Sequence, residues 1–223
     1  MDYNIGHRAR LREKLLNSKT GAMPDYELME ILLCMALPRR DTKILAKSLI
    51  DKYGSFAKAI SAEDDSLLGV KDVGTSVLAC FKLIKEGATR LTKTSIINKP
   101  VISSWQSLLD YCRNLMGHAT KEMFLVFYLN SQNELIAEDL QDYGTVDQVS
   151  VYPREITKRA LFLNASAIIL AHNHPGGNTK ASKADVEVTK QITAALLPFK
   201  IKIHDHVIVS DRSFFSFKAE GLL

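Results

Sequence analysis

A chain of 223 residues, 46% hydrophobic and 24% charged, has the make-up of a globular protein with room for one large or two small domains. No apolar run reaches about 18 residues, so no membrane-spanning helix is expected, and the charged, amphipathic start lacks the apolar core of a secretory signal. The net charge of +4 falls entirely in residues 1–93, which carry 16 basic against 12 acidic residues, an excess that permits nucleic-acid contact in that half without dictating it. The three cysteines, Cys34, Cys80 and Cys112, lack metal-ligand spacing and fit buried free thiols in a reducing cytoplasm.

In chain order, residues 7–17 have helical spacing, with Leu11, Leu15 and Leu16 on one face and Arg8, Arg12 and Lys14 elsewhere. Such a basic face is either solvated or turned toward phosphate. A second helix is expected over residues 25–37, capped by Asp25, striped by Leu28, Ile31, Leu32 and Met35, and ended by Pro38. A third starts at Asp41 and breaks at Tyr53, Gly54 and Ser55, before a short helix around 56–60. Residues 67–86 resemble a helix-hairpin-helix, a motif whose hairpin N–H groups hold a DNA phosphate. Here Asp72 stands where the first hairpin glycine would be, and a carboxylate repels phosphate, so a plain helical hairpin is the competing reading. The helix is expected to fade by Arg90. The polar stretch 91–100, ending in Pro100, is then a domain boundary that separates an all-α domain, residues 1–96, from a second domain, residues 101–223.

The second half alternates strands and helices. A helix over 104–116 is closed by Gly117, and a strand over 123–130 returns as a hairpin through 134–140. Gly144 and Thr145 turn the chain again. Pro153 starts a helix, an apolar strand begins at Ala167, a helix runs over 182–197, and two strands end the chain. This order predicts an α/β (α+β) domain around a central sheet.

The strand at Ala167 ends in His172, Asn173, His174 and Pro175. Residues i and i+2 of a strand share a face, so the two imidazoles can aim at one point where the strand leaves the sheet. Asp185, in the first turn of the next helix, can be brought back to that point by the Gly176–Gly177 loop. Two histidines and one carboxylate, with room for a water, make the ligand set of a catalytic zinc. Asp185 has a second reading, because SKAD over 182–185 resembles a capping box in which the acid only starts a helix. His204 and His206 flank Asp205 without an evident third ligand, which suits ordinary packed histidines better than a second metal site.

The string HNHP, six residues, Ser182, two residues, Asp185 resembles the JAMM motif of MPN-domain metalloproteases. The wider text, with YPREI at 152–156, AHNHPGG at 171–177, DHVIVSD at 205–211 and RLREKLL and DYELMEILL in the first half, is similar to the RadC family over nearly the whole chain. Asn173 stands where the protease pattern has Ser or Thr. The resemblance implies an MPN/JAB-like zinc domain with His172, His174 and Asp185 as ligands. It implies Glu122 as general base, ahead of Glu134, Glu138 and Glu155, and Ser182 as both helix cap and partner of the carbonyl oxygen that gains charge. The implied function is zinc-dependent hydrolysis of an amide or isopeptide bond in a peptide or protein substrate. The alternatives are a DNA-associated repair or recombination accessory protein, contacting DNA through residues 1–96, and a metal-dependent nuclease or phosphodiesterase. Nothing in these residues specifies an oligomeric state.

Overall fold

The computed structural model describes residues 3–97, 99–101, 103–141 and 151–223, with side chains from residue 6 onward. The turn expected at Gly144 and Thr145 lies outside them. The chain forms two compact units, Met1–Gly87 and Ala88–Leu223.

The first unit is helical: α1 (Tyr3–Asn17), α2 (Asp25–Ala36), α3 (Lys43–Tyr53), α4 (Phe56–Ile60), α5 (Asp64–Leu68) and the start of α6 (Thr75–Thr94). Met29, Leu33, Ala46, Leu49, Leu67, Val77 and Phe81 form its core at helical spacing. Two sequence expectations are corrected here. Asp25 does not cap its own helix: the N-cap is Pro24, and the Asp25 carboxylate accepts the Phe56 N–H at the start of α4, 2.9 Å away. Asp41 lies ahead of α3 and accepts the Lys43 N–H at 3.0 Å. In the hairpin between α5 and α6, Asp72 takes φ 70°, a left-handed corner that Asp tolerates better than most residues. Its carboxylate pairs with Arg40 at 3.0 Å.

The polar stretch 91–100 is not an open connection. Leu91 to Thr94 continue α6, Ile96 is fully buried in the core of the second unit, and Lys93 pairs with Glu138 at 2.7 Å. The contacts divide the chain at Gly87, inside α6 and ahead of the polar stretch. Of the three thiols, Cys112 is buried, while Cys34 and Cys80 are only half-buried.

The second unit holds α7 (Trp105–Met116), β1 (Phe124–Leu129), β2 (Leu135–Gln141), α8 (Pro153–Phe162), β3 (Ala167–Asn173), α9 (Lys183–Leu196), β4 (Lys202–Val209) and β5 (Phe214–Ser216). Together the strands make a mixed sheet in the order β2-β1-β3-β4-β5, with only β3 and β4 parallel. A parallel pair needs a crossover, and α9 supplies it. Leu108, Leu109, Cys112 and Met116 of α7 pack one face of the sheet through Leu125, Phe127, Ile169, Val207 and Val209. Ile156 and Ala160 of α8 and Ile192 and Leu196 of α9 pack the other through Phe124, Val126, Tyr128, Ile168 and Leu170. Both faces are covered, which is why β1 and β3 as far as Ala171 are unbroken apolar runs rather than alternating ones. The architecture is an N-terminal helical region followed by an α+β domain around a mixed sheet, as the resemblance implies.

Candidate metal centre

Four side chains meet where β3 leaves the sheet: Glu122, His172, His174 and Asp185 offer ligand atoms that all lie within 4.8 Å of one another. His172 is the penultimate residue of β3, wholly buried, with its ring stacked on Phe124 at 5.9 Å between centroids and 10° between planes. Phe124 is also its register partner on β1. Strand pairing therefore places Glu122, two residues ahead of Phe124, beside the histidines. His174 lies just past the strand end. There Pro175 and Gly177, the latter at φ 76°, turn the chain and let the Asn178 carbonyl reach back to His174 Nδ1 at 2.7 Å. A carbonyl only accepts, so Nδ1 carries the proton and Nε2 of the neutral ring presents a lone pair.

Asp185 starts its helix and also faces the histidines. It is the third residue of α9 in a full capping box: Ser182 Oγ accepts the Asp185 N–H at 3.1 Å, and Asp185 Oδ2 accepts the Ser182 N–H at 2.7 Å. The cap holds the carboxylate rigidly, and the same group faces the histidines, with Oδ1 3.3 Å from His172 Nε2 and Oδ2 3.5 Å from His174 Nε2. The two Nε2 atoms are 3.0 Å apart. Two ligands each about 2.0–2.1 Å from a tetrahedral ion lie roughly 3.3–3.4 Å from each other, so the three spacings fit one small divalent cation. Glu122 stands further back, its Oε1 4.0 Å from His172 Nε2. Burial alone would raise the Asp185 carboxyl, but His172, His174 and Ser182 together hold it well below the usual carboxylate range. Hydrogen bonding to Asp185 raises the His174 imidazolium against the opposing effect of burial. Asp185 and His174 each shift the other, as in a preformed cation site.

The competing carboxylates are elsewhere. Glu134 accepts from Asn130 Nδ2 at 3.0 Å, Glu138 is engaged by Lys93 and Tyr111, and Glu155 faces Lys158 at the start of α8. Asn173, between the two histidines, points to the opposite side and grips the backbone on either side of Glu122. Its Oδ1 accepts the Met123 N–H at 2.7 Å, and its Nδ2 donates to the Lys121 carbonyl at 3.1 Å.

Two side chains of this neighbourhood escaped the sequence reading. His206 is indeed a packed histidine, stacked on Phe217 at 4.5 Å, but its Nε2 lies 2.7 Å from His172 Nδ1. Its Nδ1 lies 2.7 Å from the Thr189 hydroxyl on α9. The HDH string was visible, yet only the parallel β3–β4 register, which sets Leu170 against His206, brings it under His172. Thr189 carried no signal. His204 takes a separate course, to Asn133 Oδ1 at 2.5 Å.

The chain is similar to known proteins over nearly its whole length. The RadC-like JAB domain family matches residues 102–222, which contain all four clustered side chains. A UPF0758 protein of Ruegeria pomeroyi is 45% identical over 221 residues, covering 99% of each chain. Another, from Rhodobacter capsulatus, is 47% identical over 213 residues, covering 96% of this chain and all of the relative. A sheet with helices on both faces, a histidine–carboxylate cluster at the end of its central strand and full-length similarity converge on one assignment: the chain belongs to the RadC family, with a JAB domain as its second half.

Proposed function

We propose that the JAB domain is a zinc-dependent hydrolase of amide or isopeptide bonds in a peptide or protein substrate. The observation that carries the reading is the spacing of the cluster: the two Nε2 atoms are 3.0 Å apart, and the two Asp185 oxygens approach them to 3.3 and 3.5 Å, with a further carboxylate, Glu122, one step further out. Zinc supplies such a site with an acidified water and a polarised scissile carbonyl. The residues supply the rest. His172, His174 and Asp185 hold the ion. Glu122, beyond the 3.0–3.5 Å spacing of the ligands yet beside them, takes a proton from the attacking water and returns it to the leaving nitrogen. Ser182 Oγ accepts the Asp185 N–H, which leaves its own proton to donate to a carbonyl oxygen that gains negative charge.

The test pairs metal analysis with a substrate screen. Full-length protein purified without chelator should contain about one zinc per chain, and peptide or isopeptide substrates should be cleaved in a zinc-dependent way. Absence of bound zinc, with no rise in melting temperature on adding it, overturns the metal reading. Zinc-dependent cleavage of DNA or a phosphodiester, with no amide turnover, overturns the substrate class and selects a nuclease.

A further inference from the structure

The hydrogen bonds beneath His172 form a chain whose direction can be worked out from one end. Thr189 Oγ1 lies 2.5 Å from the Asp185 carbonyl, one turn back along α9. A carbonyl has no proton to give, so the hydroxyl donates to it. That uses the only proton Thr189 has. The contact of 2.7 Å between Thr189 Oγ1 and His206 Nδ1 therefore needs its proton from the ring, and His206 carries Nδ1–H. His206 is wholly enclosed, stacked against Phe217 and edge-on to Phe124, and among the described residues no carboxylate bonds its ring, so it has one proton only. Its Nε2 must then accept, and the 2.7 Å contact to His172 Nδ1 is filled by a proton on His172. The last consequence is at the cluster: in the neutral ring of His172 it is Nε2 that carries the lone pair, facing His174 and Asp185.

We propose that His206 and Thr189 are positioning residues that fix the tautomer and the ring angle of His172. The relay runs from one member of the cluster to another: it starts at the main chain of Asp185, crosses from α9 to β4, and ends on the buried nitrogen of His172. A metal-binding histidine commonly leans on a carboxylate or a carbonyl through its second nitrogen. Here that role falls to a neutral histidine, which accepts only because a threonine on the crossover helix fixes its protonation. The metal end of this inference rests on the zinc reading; the tautomers do not.

Two measurements on the full-length chain separate the points. Ring nitrogen NMR of histidine-labelled, metal-free protein should show His206 as the neutral Nδ1–H tautomer. His206 with its proton on Nε2 overturns the relay, whether or not zinc binds. Chelator competition should then show Thr189→Val binding zinc roughly ten- to hundredfold more weakly, the scale of a lost supporting contact. Thr189→Ser, which keeps the hydroxyl, should bind as the parent does. Loss in both variants, in neither, or in Thr189→Ser alone overturns the assignment of Thr189, since a packing role would spare the isosteric valine and penalise serine. If the parent binds no zinc, the zinc reading fails, while the NMR result still decides the relay.

Discussion

Glu122 and Asp185 are both carboxylates near His172 Nε2, at 4.0 and 3.3 Å, and the proposed hydrolase gives them different work. Glu122→Gln keeps the size and removes the proton acceptor. Its zinc content should stay near one per chain, and turnover on any substrate found should drop by roughly a hundredfold or more. If Glu122→Gln strips the zinc instead, Glu122 is a fourth ligand. Asp185→Asn should lose metal first. The His174 imidazolium is raised by its hydrogen bond to Asp185, so protons compete with a metal for Nε2 at higher pH than at an ordinary histidine. Zinc affinity, followed by chelator competition from about pH 8.5 down to about 5.5, should weaken with a midpoint above the ordinary histidine value of about 6.5. A profile flat across that range would mean that His174 is not a ligand.

Among the elements, α9 does two jobs at its first turn. The Ser182–Asp185 capping box both starts the helix and aims the carboxylate. Ser182→Ala removes one arm of the box, which costs about 1 kcal/mol and lowers the melting temperature by roughly 2–4 °C for a chain of this size. Zinc affinity should fall only slightly, because the backbone N–H of residue 182 still holds Asp185 Oδ2. The junction of β3 and β1 depends on Asn173 in the same way. Asn173→Ala leaves the Met123 N–H without its side-chain acceptor in a buried place, a loss of about 1–3 kcal/mol. It also frees the backbone on both sides of Glu122 while leaving all three ligands intact. Zinc content should hold and turnover should fall; unchanged turnover would mean that strand pairing alone positions Glu122.

At the scale of the molecule, the sheet unit claims the polar stretch 91–100, through the burial of Ile96 and the Lys93–Glu138 pair. A fragment of residues 88–223 should therefore melt several degrees higher than one of residues 101–223, because loss of a buried isoleucine alone removes about 1.5–3 kcal/mol. Equal melting temperatures would place the working boundary at Pro100. The DNA contact expected in residues 1–96 meets a specific obstacle, since Asp72 sets a carboxylate, paired with Arg40, at the left-handed corner of the hairpin. If the helical unit binds DNA, affinity should drop steeply with salt and be absent from residues 88–223. Retention of full DNA affinity by that fragment would move the contact to the JAB domain. Among the described residues no helix is long and apolar enough to cross a membrane.

Local chemistry made much of this legible in one dimension. The strand-turn-helix order around HNHP, the break at Gly54 and the two-sided burial of β1 and β3 follow from side-chain period, glycine and proline placement and continuous apolar runs. So did the three side chains of the cluster that lie within 14 residues of one another, from His172 to Asp185, since one strand end and one helix start suffice to bring them near. Glu122 entered only through family resemblance, because its approach depends on antiparallel pairing across about 50 residues. His206, Thr189 and the grip of Asn173 had no such guide. A register between β3 and β4 and the rotation of α9 decide which buried nitrogen meets which hydroxyl, and neither is encoded in any short stretch of residues. The clustered histidines and Asp185 could be read from neighbours along the chain; the hydrogen bonds that orient them exist only once the sheet has closed its register.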